Sequence, residues 1–129
     1  MIKGVGCDIL EINRLEKTVD NSKFMTDYYT EREISYISSK KNRAETAAAL
    51  FCAKEAVAKA LGTGFSGFSG FSPIDIEIIH DDRGKPEAIL YNRAKDTAEK
   101  NGVLRLHLSL THCREYAAAF VTAEGDDNV

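Results

Sequence analysis

The chain has 129 residues, room for one domain over 1–129 and too little for two. Apolar residues make up 43% and charged residues 29%, the balance of a globular protein and not of a disordered one. A net charge of −3 argues against a nucleic-acid-binding surface, and no apolar run approaches the roughly 18 residues of a membrane span. Cys7, Cys52 and Cys113 are odd in number and lack any CxxC or Cys/His metal spacing. They read as reduced thiols of a cytoplasmic protein, and the opening MIKGVGCDIL lacks the long uncharged core of a signal peptide.

In chain order, residues 2–10 predict a strand with Val5, Cys7 and Ile9 on one face. Gly4, Gly6, Asp8 and Leu10 lie on the other, and two glycines on one strand face predict a very close neighbour there. Ile12, Leu15 and Val19 give a helical period, and 24–29 a short helical stretch. Thr30 and Glu33 form a capping-box pattern that opens a helix over 31–38. The strongest helix runs over about 44–61 and stops at Gly62 and Gly64. FSGFSGFS, residues 65–72, reads as a flexible loop whose phenylalanines pack on a neighbour, a ligand or the core. Strands are expected at IDIEII and EAILY on either side of the HDDRGKP turn, then a surface helix over 92–101. RLHLSLTH and EYAAAFVTA complete the set, and residues 124–129 are expected to fray. This order defines an α+β domain, a long helix against a mainly antiparallel sheet.

Projected at 100° per residue, Ala47, Leu50, Val57, Ala58 and Leu61 share one apolar arc, with Phe51 on its edge. Lys54 falls near the middle of that arc, where a cation must be paired or must snorkel out. Glu55 and Lys59 lie four apart, as an ordinary surface ion pair would. Asp8 has an equally plain explanation as a helix cap, and His112, at the end of the Leu106–Leu108–Leu110 face, as a structural histidine.

Taken together, however, GVGCDILEINRLE, FCAKEAVAKALGTG and LSLTHCREYAAA, in this order, resemble the holo-[acyl-carrier-protein] synthase family of 4′-phosphopantetheinyl transferases. The first motif contributes Gly4, Gly6, Asp8, Glu11 and Arg14. The second contributes Phe51, Lys54, Glu55, Lys59, Gly62, Thr63 and Gly64, and the third Ser109, Thr111, His112 and Tyr116. The TEREI segment and DIEI followed by GKP add to the likeness, which runs over residues 1 to about 122.

The resemblance implies a 4′-phosphopantetheinyl transferase-like fold and a Mg²⁺-dependent transfer of the phosphopantetheine arm. Coenzyme A is the donor, a serine of apo acyl carrier protein the acceptor, and 3′,5′-ADP the product, in support of fatty acid biosynthesis. Such a step is governed by positioning and charge stabilisation, and Mg²⁺ takes hard oxygen ligands, commonly one or two carboxylates with waters and phosphates. By resemblance, Asp8 and Glu55 are the metal ligands and catalytic carboxylates, and Lys59 neutralises a pyrophosphate oxygen. His112 takes the ribose 3′-phosphate, with Gly62, Thr63 and Gly64 in the coenzyme A site. Lys54 orients Glu55 or contacts phosphate, and Arg14 faces the acidic carrier protein. Either a metal-bound water or Glu55 accepts the serine proton. A homotrimer with active sites between subunits is also implied. The chain departs from the family pattern at Leu50, where relatives carry a basic residue, so Lys41 and Arg43 are expected to substitute for it. It departs again at Leu10 and in the FSG triplets.

Overall fold

The computed structural model of the protein describes residues 1–62 and 70–127. Strand β1 (Ile2–Glu11) opens the chain, followed by two short 3-10 turns (Ile12–Leu15 and Thr18–Asp20) where a helical period was expected. Three helices come next: α1 (Ser22–Tyr28), α2 (Glu31–Ser38) and α3 (Arg43–Ala60). After the undescribed segment come strands β2 (Ile76–His80) and β3 (Pro86–Leu90), helix α4 (Asn92–Lys100), and strands β4 (Arg105–His112) and β5 (Tyr116–Glu124). The α+β reading holds. The described strands form two antiparallel sheets, one of three strands in the order β1-β5-β4 and one of two, β2-β3.

Local chemistry sets the helix bounds. The Thr30 hydroxyl accepts from the Glu33 N–H while Glu33 accepts from the Thr30 N–H, a complete capping box that begins α2 where its motif predicts. The Asn42 side chain accepts from the Glu45 N–H and starts α3 at Arg43. At the other end Gly62 takes φ +92°, a left-handed conformation suited to glycine, and Asn101 donates to the Leu61 carbonyl at 2.9 Å.

Helix α3 is the centre of the molecule. It is buried on almost every side, Ala47, Ala48, Ala53, Ala56, Val57 and Ala58 completely, and not along a single arc. The three-stranded sheet covers one side and α2 with β2 the other. Its alanines permit that enclosure, because a small side chain lets a backbone approach from any direction. Glycine does the same on β1. A Cβ at Gly4 would overlap the Ala60 carbonyl oxygen, and one at Gly6 the Ala56 carbonyl oxygen, so strand and helix touch backbone to backbone.

At the edges one open expectation is narrowed and another changes. Phe71, the described phenylalanine of the FSG segment, is buried in the core; Phe65 and Phe68 lie outside the described residues. The tail does not fray at Glu124, which still pairs with Ile2. Gly125 donates to the Met1 carbonyl at 2.9 Å, and the Met1 ammonium donates to the Gly125 carbonyl at 2.7 Å and pairs with Asp127. Only 128 and 129 fall outside the described residues at this end.

Candidate active site

Asp8 projects from the glycine face of β1, the face packed on α3, and Glu55 and Lys59 come from one side of α3 a turn apart. The fold thereby joins the first motif to the second. Lys59 Nζ lies 3.5 Å from Asp8 Oδ1 and donates to the Cys7 carbonyl at 2.9 Å. Both side chains keep about a fifth of their surface exposed, so they line a site and are not core. Tyr28 donates its hydroxyl to Glu55 Oε2 at 3.1 Å. Burial raises the Glu55 carboxyl above its ordinary value, and the Asp8 charge adds to this while the Tyr28 hydrogen bond and Lys59 pull it back. Beside them, burial pushes the Cys52 thiol up to about 12, with Asp8 adding to the shift, so Cys52 is a protonated donor and not a nucleophile.

Lys54 lies one residue away but in another environment. It is completely buried, donating to Glu33 Oε1 at 2.5 Å and to the Ile76 carbonyl at 2.8 Å, while Glu33 Oε2 accepts from the Ile78 N–H at 2.8 Å. Burial lowers its pKa and Glu33 counters. Its ammonium is committed to the interior, away from any phosphate, and fastens α3 to α2 and β2. It neighbours the site through the ring of Tyr28, whose centre lies 5.7 Å away.

His112 stands elsewhere in the same chain. Its Nε2 is 3.4 Å from Glu45 near the start of α3, and β5 separates its strand from β1. Glu45 and Glu55 are ten positions apart on one helix, which puts about 15 Å of axis between the two locations. His112 lines a recess of about 320 Å³ with Lys40, Glu45, His80, Gly84 and Pro86. The expected substitutes for the missing base at Leu50 face another way. Arg43 pairs with Asp20 at 2.9 Å, and with Lys41 it lines a separate recess beside Glu16. Within one chain the lysine nearest the His112 recess is Lys40, which sequence adjacency did not single out. Gly62 is exposed at the end of α3; Thr63 and Gly64 lie outside the described residues. Arg14 is exposed and 3.6 Å from Glu11. Tyr28, Lys40 and Glu45 were missed, and no motif marks them.

The donor set near Asp8 is small. Among the described residues no group of three or more His, Cys, Asp and Glu side chains gathers to hold a metal, so two carboxylates and a lysine are what the protein offers. That is poor for an all-protein cage but fits a hard cation whose remaining ligands are waters and substrate phosphates. No helix among the described residues is long and apolar enough to cross a membrane.

The sequence pattern of the 4′-phosphopantetheinyl transferase superfamily matches residues 4–121, and the chain belongs to this superfamily of enzymes. A holo-[acyl-carrier-protein] synthase of Clostridium acetobutylicum is 50% identical over 125 residues, covering 96% of this chain and 98% of the relative. The crystal structure of a holo-(acyl-carrier-protein) synthase from Bacillus anthracis in complex with CoA (3′,5′-ADP) is 40% identical, with a TM-score of 0.79. It covers 98% of this chain and 99% of that one. The Neisseria meningitidis enzyme is 33% identical with a TM-score of 0.84, covering 96% and 99%. Within the superfamily the chain falls among these holo-[acyl-carrier-protein] synthases, which are phosphopantetheinyl transferases.

Proposed function

We propose that this protein moves the 4′-phosphopantetheine arm of coenzyme A onto a serine of apo acyl carrier protein, with Mg²⁺ held by Asp8 and Glu55. The observation that carries the reading is the meeting of Asp8 on β1 with Glu55 and Lys59 on α3, two carboxylates and a cation at one edge of a helix–sheet seam. Bound there, Mg²⁺ supplies positive charge to the pyrophosphate. Lys59 offsets charge on a non-bridging oxygen as the serine hydroxyl attacks the β-phosphoryl group and the bond to 3′,5′-ADP breaks. Glu55 is the carboxylate of this chain suited to take the serine proton. His112, in its recess, suits the ribose 3′-phosphate, and the exposed Arg14 suits an acidic carrier surface. The product feeds fatty acid synthesis in the cytoplasm.

Two features support a homotrimer with shared sites. The outer face of the three-stranded sheet exposes Val5, Ile9 and Phe120, each more than half uncovered, an apolar surface that a second copy would bury. Within one chain His112 sits by Glu45 and Asp8 by Lys59, locations at least about 15 Å apart along α3, an arrangement suited to a site that borrows its histidine from a neighbour.

The test is the intact mass of an apo carrier protein incubated with this chain, CoA and Mg²⁺. A gain of one phosphopantetheine group with release of 3′,5′-ADP is expected, and its loss in Asp8→Ala or Glu55→Ala. Pyrophosphate cleavage without any carrier protein would point instead to a hydrolase.

A further inference from the structure

Tyr28, the last residue of α1, reaches Glu55 Oε2 with its hydroxyl at 3.1 Å. Its ring is held from several sides. It stacks on Phe24 with centres 5.5 Å apart and planes 8° from parallel, and on Phe51 at 4.8 Å and 10°. Tyr29 closes an edge at 5.1 Å. A ring layered between two others cannot swing, so its hydroxyl is directed at one place. Glu55, by contrast, has three side-chain torsions and projects into a partly open site, where the Tyr28 hydroxyl donates to its carboxylate.

We propose that Tyr28 is a positioning residue for Glu55, holding Oε2 so that Oε1 is presented, beside Asp8, to the divalent cation. This rests on the assignment of Asp8 and Glu55 as the cation's ligands. Carboxylates that bind metals are commonly held by an outer hydrogen bond, and losing it typically costs 10–100-fold in affinity or activity. The aromatic layers are part of the device, because they convert a flexible contact into a fixed one.

Tyr28→Phe keeps the stacked ring and removes only the donor. Mn²⁺ binding to the full chain, followed by electron paramagnetic resonance with CoA present, is the direct readout. Tyr28→Phe is expected to weaken Mn²⁺ roughly tenfold. It should raise the Mg²⁺ concentration needed for half-maximal transfer, leave the KM for CoA near wild type, and recover kcat at high Mg²⁺. Tyr28→Leu, which loses ring and hydroxyl together, should match that loss of Mn²⁺ affinity while melting well below Tyr28→Phe. If Tyr28→Phe binds Mn²⁺ within twofold of wild type and only Tyr28→Leu is impaired, the tyrosine acts through packing and the proposal is overturned. Asp8→Ala is the control on the underlying assignment. Undiminished Mn²⁺ binding there would remove the metal site itself, a failure distinct from that of Tyr28.

Discussion

Replacing Lys54 with methionine preserves length and apolar bulk and deletes the charge together with its hydrogen bonds to Glu33 and the Ile76 carbonyl. In the folded chain Glu33 and Lys54 are both completely buried, and removing one partner of such a pair typically costs about 3–5 kcal/mol. Glu33 would keep two donors, the Thr30 and Ile78 N–H groups, which places the loss near the lower end, about 3 kcal/mol. For a domain of this size that corresponds to a fall in Tm of roughly 10–15 °C. Adding Glu33→Gln should recover part of the loss, since a neutral amide still accepts a backbone N–H and no longer buries an unpaired charge. Urea denaturation at pH 7 and one fixed protomer concentration measures both variants. A Lys54→Met protein within about 1 kcal/mol of wild type, or a double variant less stable than the single, would refute the buried-pair account.

Gly6→Ala forces a methyl group into the Ala56 carbonyl and should destabilise by about 1–3 kcal/mol, with a larger fractional loss of transfer activity because the seam it widens spaces Asp8 from Glu55 and Lys59. Burial pushes the Glu77 carboxyl up, but hydrogen bonds from Thr30 and Tyr91 and the Arg32 guanidinium outweigh it and hold it below its ordinary 4.5. That stability is present above pH 4.5 and is lost as pH falls through the folded value, so the deficit of Glu77→Gln in denaturation should be full near pH 7 and shrink below 4.5. Asp8→Ala and His112→Ala proteins, each a poor enzyme alone, should regain appreciable activity when denatured and refolded together. Mixed oligomers, seen by native mass spectrometry, that stay as inactive as their parents would show that the site is not shared.

Much of the fold was legible where short-range chemistry decides it. The Thr30–Glu33 capping box placed α2, and the glycine pair in β1 announced a close neighbour before α3 was known to be that neighbour. What could not be read depends on long-range pairing. Alternation identifies β2 and β3 as strands but not that they form a sheet of their own. The one-sided arc expected of α3 was too narrow, because its alanines count little in an apolar period yet allow enclosure on nearly all sides. Lys54 looked misplaced on that arc until Glu33, from a separate helix, was beside it. At the site, the motif residues Asp8, Glu55 and Lys59 do meet, whereas Lys41 and Arg43, chosen for nearness in sequence to Leu50, turn away to a recess beside Glu16, where Arg43 pairs with Asp20. Tyr28 was legible as a helical residue and nothing more, since its partner is set by how α1 lies on α3.

The backbone contact at Gly4 and Gly6 has a mechanical side. Asp8 belongs to the sheet, whereas Glu55 and Lys59 belong to the helix, and no side chains cushion the two layers next to them. The spacing of the backbones that carry the carboxylates is therefore set by peptide groups in contact, among the stiffest spacers a protein has, which leaves the side-chain torsions alone to place the carboxylate oxygens. Anything gripped by both carboxylates becomes a rivet between layers. Its binding should slow hydrogen exchange at the amides of β1 and the second half of α3 together, as a single unit, and leave the β2–β3 ribbon on the far side of the helix at its own rate.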